Sequence, residues 1–200
     1  MRDQRGQTGP MRGKYPVFDP AAYHATETLN DGRKVEIRAL RPDDRDGLYA
    51  AVMRCSKETL YHRFFAVKRQ FSEQEAHFFL DVDFVKHVAL AAVASETGPP
   101  TIIGSCRYVV VEPGRAEVAF LVIDDYQGKG LGTALMRRLA AIGREAGLNE
   151  LVAEVLAENV PMLKVFERSS LAMTAKHERS VVHVTLRYPT QRSSPVTACI

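Results

Sequence analysis

The residues whose types and spacing point most clearly to a chemical role form a glycine-rich stretch, Gln127-Gly128-Lys129-Gly130-Leu131-Gly132-Thr133. Hydrophobic periodicity predicts that it joins an apolar strand ending at Ile123 to an amphipathic helix. Glycines at such a joint let the backbone approach a ligand closely, and the first N–H groups of a helix lack intrahelical partners. A phosphate or pyrophosphate is therefore the expected occupant, and Lys129 adds a positive charge there.

Two common phosphate-binding motifs do not match this stretch. A P-loop requires Ser or Thr after its lysine, whereas Gly130 follows Lys129. Gly128, Gly130 and Gly132 are spaced as GxGxG, whereas the dinucleotide fingerprint is GxGxxG at the start of a βαβ unit. The spacing excludes both classes.

The elements that must position this stretch follow from periodicity and turn signals. Strands are expected at 35–37, 87–95, 102–111, 116–123, 151–156 and 181–188, with 172–177 as a possible partner of the last. Helices are expected after Pro42, after the N-caps Ser56 and Ser72, from Leu131 to a stop at Gly147, and over 159–168. This order predicts an α/β fold, with a mixed, mostly antiparallel sheet and helices on both faces.

The two ends of the chain differ in composition from this region. We expect a disordered leader over 1–14, an arm lying on the domain or on a second subunit over 15–32, one domain over 33–188, and a polar tail over 189–200. The leader holds four basic residues and one acidic residue, which accounts for the whole net charge of +3. The rest of the chain is neutral, so the charge does not favour a nucleic-acid partner.

Composition restricts the class of protein further. No apolar run approaches the roughly 18 residues of a membrane helix, and no signal peptide is evident, so we expect a cytoplasmic protein. The three cysteines are too widely spaced to form a disulfide framework or a CxxC metal site. The six histidines show no paired ligand spacing, so no metal is expected.

The glycine stretch, after the strand 118–123 and at the start of a helix, resembles the acetyl-CoA pyrophosphate loop of GNAT N-acetyltransferases, Q/R-x-x-G-x-G/A. The resemblance extends from about Arg33 to Tyr188 and implies a single GNAT domain with acetyl-CoA as cosubstrate. Residues 56–65 (SKETLYHRFF) are similar to the S-x-E-S/T-x-Y-x-R-F segment of bacterial protein-lysine acetyltransferases. Those larger enzymes carry additional regulatory or ligase-like domains.

Acetyl transfer to an amine requires a base, because an ordinary lysine is protonated at neutral pH. Glu117 is the only acid inside the strand 116–123, and partial burial would raise its pKa towards the useful range. It also occupies the position at which the resemblance places a catalytic glutamate. A strand-end glutamate paired with Arg115 or Arg107 is the structural alternative.

The resemblance implies several further cosubstrate contacts. The backbone of Leu121, Val122 and Ile123 would run along the pantetheine amides, beside the loop residues 127–133. Asn159 would bond the pantetheine arm, although a helix cap explains this residue equally well. Phe166 stands where many family members have a tyrosine that protonates the departing thiolate. The acid is therefore open between Tyr126, water and unassisted departure.

Candidate acceptor-binding residues lie on two elements. Tyr61, His62 and Arg63 would form one wall of the acceptor site, with a solvated helix face as the alternative. If Pro113-Gly114 is a two-residue turn, Tyr108 lies diagonally beside Glu117 and joins the site, although core packing also suits it.

The sequence thus predicts an N-acetyltransferase whose acceptor is a primary amine, most simply a protein lysine, on an acyl-CoA synthetase or another protein. A small-molecule amine acceptor and a non-catalytic acyl-CoA sensor are the alternatives. No nucleic-acid or membrane partner is expected, and the chain should be a monomer or a homodimer.

Overall fold

The computed structural model describes residues 18–95 and 98–189. They contain an eight-stranded sheet with the order β1-β2-β3-β4-β5-β6-β8-β7. The strands are β1 (His24–Thr28), β2 (Lys34–Ala39), β3 (His87–Ala94), β4 (Thr101–Glu112), β5 (Arg115–Val122), β6 (Glu150–Leu156), β7 (Ala172–Glu178) and β8 (Val181–Arg187). Every neighbouring pair is antiparallel except β5 and β6, which are parallel.

Five α-helices cover the two faces of this sheet within the described residues. They are α1 (Arg45–Met53), α2 (Lys57–Phe64), α3 (Glu73–Leu80), α4 (Leu131–Glu145) and α5 (Val160–Glu167). Side chains on β4 alternate between the faces: Cys106 lies against Leu135 of α4, and Arg107 donates to Phe79 of α3. Helix α4 therefore covers one face, and the α1 to α3 segment covers the other. The predicted fold class is confirmed.

Local signals placed the helices well. The hydroxyl of Ser56 accepts a hydrogen bond from the Thr59 amide at the start of α2. Ser72 and Glu75 form a complete capping box at the start of α3. The apolar stripe of α4 is buried at Leu131, Leu135, Leu139 and Ile142, and Gly147 beyond it has a φ of 76°. Because these signals depend on near neighbours in the chain, they can be read without the tertiary structure.

Strand β1 was not predicted. Residues 24–28 (HATET) lie within the segment expected to be an arm, but they pair with β2 at the edge of the sheet. An edge strand with polar side chains carries no apolar alternation, so its composition resembles that of a loop. The predicted leader and most of the predicted tail lie outside the described residues.

A buried ion pair joins the end of β2 to the start of α1. Arg38 donates to both carboxylate oxygens of Asp44, each at 2.7 Å, and the Arg41 amide donates to one of them at 2.7 Å. Burial by itself would raise the pKa of Asp44, but the hydrogen bonds from Arg38 and Arg41 reverse this and lower it. The pair holds α1 in position against the sheet.

Replacement of Asp44 by Asn should lower the free energy of unfolding by about 3 kcal/mol, because it removes the buried counter-charge of Arg38 and leaves only Glu36, whose carboxylate lies 3.7 Å from Arg38 Nε. The measurement is urea denaturation. Asp43→Asn is the matched control, because its side chain is exposed, and it should stay within about 0.5 kcal/mol of the wild type. Equal loss in both variants would contradict the assignment.

Candidate active site

A large cleft opens where the two parallel strands separate. β5 and β6 pair only over 115–117 and 150–152, after which β5 continues beside β4 and β6 beside β8. The resulting cleft has a volume of about 1130 Å³. Its walls come from β5, β6, α2, the start of α4, α5 and the β1–β2 hairpin.

The predicted phosphate loop lies at one end of this cleft. Gly128 and Gly130 have φ values of 69° and 88°, which favour glycine. A Cβ on Gly130 would lie 3.1 Å from Oδ1 of Asn30, so a side chain there would also crowd the hairpin. Helix α4 begins at the next residue without a side-chain cap, leaving backbone N–H groups for a ligand. These features fit a pyrophosphate.

Six of the seven loop residues line the cleft: Gln127, Gly128, Lys129, Gly130, Gly132 and Thr133. The seventh, Leu131, has its side chain buried on the α4 face of the sheet, where it approaches Gly104. Only its backbone can belong to the loop. The predicted cosubstrate contact of Leu131 is therefore confined to its backbone, because the first turn of α4 directs its side chain away from the cleft.

Hydrogen bonds tie the loop to α2. The side-chain amide of Gln127 donates to Thr59 Oγ1 at 2.9 Å and to the carbonyl of Val122 at 3.0 Å. Asp124 accepts from the Ser56 amide at 2.8 Å and from the Thr59 hydroxyl at 3.1 Å. Gln127 thus connects the loop and the end of β5 to α2, which is distant in sequence.

The β1–β2 hairpin also supports the loop. The Asn30 amide donates to the carbonyl of Lys129 at 3.0 Å, and Lys129 Nζ lies 3.7 Å from a carboxylate oxygen of Asp31. Residues 30–32 (NDG) have the composition of a turn, but no local pattern indicates their contact with the loop. Only the turn composition signalled these residues, and nothing in it indicated a second partner.

Backbone direction decides which groups of β5 face the cleft. The Ile123 amide donates to the carbonyl of Ile103 at 3.1 Å, so the backbone N–H and C=O of residue 123 point towards β4. Because these directions alternate along a strand, the backbone groups of Leu121 also point to β4. The backbone groups of Phe120 and Val122 point into the gap between β5 and β6. The prediction is corrected for Leu121 and Ile123. The Leu121 side chain does line the cleft, whereas Ile123 is buried away from it.

Asn159 and Phe166 line the cleft from the side of α5. Asn159 Oδ1 accepts from the Met162 amide at 3.2 Å, which is the helix cap left open by the sequence. Phe166 is almost fully buried and meets Phe120 edge to face, with ring centroids 5.9 Å apart. Its ring forms part of the apolar floor.

Glu117 lies in the cleft at the last residue of β5 that pairs with β6. It is exposed, so the partial burial expected from its strand is not found, because the separating strands leave this position open. Val152 pairs with Glu117, and Glu154 lies two residues further on the same face of β6. Glu154 and Glu158 also line the cleft, so this acidic end holds three carboxylates, and Arg63 lies there too.

Tyr108 is not a neighbour of Glu117. A register shift between Val110 and Glu112 places Val109 opposite Glu117 and Tyr108 opposite Val118. Tyr108 is therefore on the α4 face, fully buried, and outside the cleft lining. Pro113 and Gly114 do form the two-residue turn, because Glu112 pairs with Arg115, but the register shift before Glu112 was not predicted. A shift of one residue moves a side chain to the opposite face of the sheet.

Helix α2 contributes two of its three predicted residues. His62 and Arg63 line the cleft, whereas Tyr61 is 41% exposed and lies outside the lining. His62 Nε2 is 3.6 Å from a carboxylate oxygen of Glu158, so α2 meets the segment before α5 here. Burial lowers the pKa of Arg63 to about 10, and the charge of Glu117 opposes this shift.

Tyr126, considered as an acid, also lies outside the cleft lining. Its ring is buried, and the Arg33 guanidinium lies 4.0 Å from the ring centroid.

Among 18–95 and 98–189 there is no helix long and apolar enough to span a membrane. The same residues contain no cluster of three potential metal ligands.

Comparison with known proteins identifies the class of protein to which this fold and cleft belong. Residues 34–171 match the family model described as an acetyltransferase (GNAT) domain, so the chain belongs to the GNAT acetyltransferase family.

Individual relatives agree with this assignment. Acetyltransferase PA5475 of Pseudomonas aeruginosa is 34% identical over 140 residues, which are 70% of this chain and 75% of the relative. Acetyltransferase Pat of Mycolicibacterium smegmatis is 30% identical over 163 residues, covering 80% of this chain but only 48% of that protein. The crystal structure of the GNAT domain of S. lividans PAT is 34% identical with a TM-score of 0.74, covering 82% of this chain and 97% of that one.

Proposed function

We propose that this protein transfers the acetyl group of acetyl-CoA to the side-chain amine of a protein lysine. The observation that carries the proposal is one cleft with a glycine loop and helix start at one end and Glu117 at the other. Acetyl-CoA supplies an acetyl group activated as a thioester. The loop, with Lys129, would hold the pyrophosphate of acetyl-CoA. The backbone of Phe120 and Val122 would face the pantetheine arm between the pyrophosphate and the acetyl group.

Glu117 is the proposed base. It would accept a proton from the acceptor ammonium, so that the neutral amine attacks the thioester carbonyl, forming the N–C bond as the C–S bond breaks. The second proton, which the nitrogen loses on becoming an amide, passes to water. The residues that line the cleft in the described part of the chain include no tyrosine, so we assign the protonation of the departing thiolate to water. A thiolate is a far better leaving group than an amide nitrogen, which makes this assignment chemically adequate.

The carboxylates that line the cleft favour an acceptor with a positive charge. Glu154 and Glu158 line the cleft near Glu117, and the exposed position of Glu117 lets a long side chain reach it from solvent. The similarity of 56–65 to the segment of protein-lysine acetyltransferases supports a protein as the bearer of that amine. An acyl-CoA synthetase is one such candidate, and we place the reaction in the cytoplasm, with the enzyme as a monomer or homodimer.

Titration calorimetry of acetyl-CoA into the full chain tests cosubstrate binding. We expect saturable binding at one site. The affinity should fall at least tenfold in Gly130→Glu, because the new carboxylate would occupy the crowded turn proposed to bind the pyrophosphate. Gly98→Glu is the matched control, because Gly98 is exposed with nothing within 4 Å of its Cβ position. No binding by folded wild-type protein would contradict the proposal.

The variant Glu117→Gln should reduce kcat at least about 100-fold, because it removes the base while preserving shape. Its affinity for acetyl-CoA should remain within twofold of the wild type. Glu112→Gln, at an exposed position of β4, provides a control that keeps its turnover. Unchanged turnover in Glu117→Gln would refute the assigned role, and wild-type binding without turnover on any amine would favour a sensor.

The variant Glu154→Lys tests the acidic end. KM for a lysine peptide flanked by arginines should rise about fivefold, which corresponds to the loss of one surface ion pair. KM for the same peptide flanked by glutamines should change less. Glu167→Lys, exposed at the end of α5 and outside the cleft lining, is the charge-matched control. Equal effects on both peptides would indicate a structural effect instead.

A further inference from the structure

A second, smaller cavity adjoins the acceptor end of the cleft. It has a volume of about 50 Å³ and lies between the sheet, α1, α2 and α3. Arg63, Phe64 and Leu121 line both the cavity and the cleft, so the two spaces are neighbours. The proposed acetyl transfer does not use this cavity.

Arg107 forms one wall and is only 6% exposed. Its Nη1 donates to the carbonyl of Phe79 at 3.1 Å and lies 3.1 Å from Nε2 of His87. His87 Nδ1 lies 3.0 Å from the carbonyl of Asp81 and must donate to it, so His87 is neutral and Nε2 accepts from Arg107. Within the described residues, Nε and Nη2 of Arg107 have no hydrogen-bond partner.

No carboxylate neutralises Arg107. Burial, followed by the nearby charge of Arg63, lowers the pKa of Arg107 to about 9, which still leaves the guanidinium charged at neutral pH. Among the described residues, no acidic oxygen lies within 4 Å of either guanidinium. These two arginines lie on the same side of the sheet as Glu117, whose charge acts on Arg63.

Ser105 adds a third polar group. It is two residues from Arg107 on β4, faces the same side of the sheet, lines the cavity and is 7% exposed. Its hydroxyl has no hydrogen-bond partner in the part of the chain that the structure describes. The lining thus includes two hydroxyls, of Ser105 and Tyr49, and three arginines, and it contains no carboxylate. Of these arginines, Arg45 is paired with Glu73 at 3.0 Å, whereas Arg63 and Arg107 have no such partner among the described residues.

Apart from Arg45 and Tyr49, the remaining lining is apolar, and it includes Leu48, Val52, Phe79, Leu80 and Leu121. A hydrated cation would find no acceptor charge in this cavity. A carboxylate joined to one or two methylene groups satisfies both the donors and the apolar wall. The volume agrees, because a single water needs about 10–15 Å³ by this measure.

We propose that this cavity is a subsite for the carboxylate of a substrate that also occupies the main cleft. The carboxylate has two possible sources: the end of a dicarboxylic acyl group carried on CoA, or an acidic group on the acceptor. The inference extends the proposed transfer function by defining a substrate class, and it can be tested without turnover.

Thermal unfolding with propionate as the probe tests the subsite directly. Propionate at ten times its dissociation constant should raise Tm by about 3 °C, whereas propionamide and chloride at equal concentration should not. Arg107→Met should abolish the shift. Ser105→Ala should reduce it by at least half, and it keeps the test informative if Arg107→Met does not fold. Arg187→Met, an exposed arginine on β8, is the control that should retain the full shift.

Two further measurements distinguish the sources. A dicarboxylic source predicts a Kd for succinyl-CoA at least tenfold below that for butyryl-CoA, with the difference lost in Ser105→Ala and Arg107→Met. An acceptor source predicts instead a tenfold higher kcat/KM for a peptide with Asp beside its lysine than for one with Asn. The absence of both preferences, or a propionate shift unchanged in the variants, would overturn the proposal. Failure of every acyl-CoA to bind would refute the proposed transfer, while the propionate shift would still establish the anion site.

Discussion

The separation of β5 from β6 is the constraint on which the rest of the site depends. The strands share only three paired residues on each side, and beyond them each strand remains bonded to its other neighbour. The inner edge of β5 therefore presents backbone groups without a strand partner. The carbonyl of Val122 accepts from the Gln127 side chain, and the remaining groups require water or a ligand. Chain continuity then places the glycine loop after β5 and α5 after β6, so both flank the gap.

Side chains from distant segments hold the walls of this gap together. Asp124 and Gln127 bond Thr59 of α2, and the Asn30 amide bonds the loop from the other side. The loop proposed for cosubstrate binding and the helix proposed for the acceptor consequently share one network. Its hydrogen bonds are individually worth about 1 kcal/mol, but together they restrain both ends of the cleft.

Charge is distributed unevenly along the cleft. Lys129 belongs to the loop end, whereas Glu117, Glu154 and Glu158 make the other end acidic. The half-buried Arg63 and the buried Arg107 lie beside this acidic end, without a carboxylate within 4 Å in the described chain. A site with this arrangement can recognise a phosphate, an amine and an organic anion through separate groups.

The sequence by itself determined the loop, the helix caps, the succession of strands and helices along the chain from β2 onwards, and the resemblance to the family, because these depend on residues close together in the chain. It also selected Glu117, whose role stays a prediction. Tertiary structure alone decided that Tyr108 faces away from the cleft, since a one-residue irregularity in the β4–β5 hairpin reverses the side on which a residue lies. It also decided that β1 completes the sheet and that Asn30 supports the loop. These features arise from pairing and packing between distant segments, and no local pattern of residue types records such contacts.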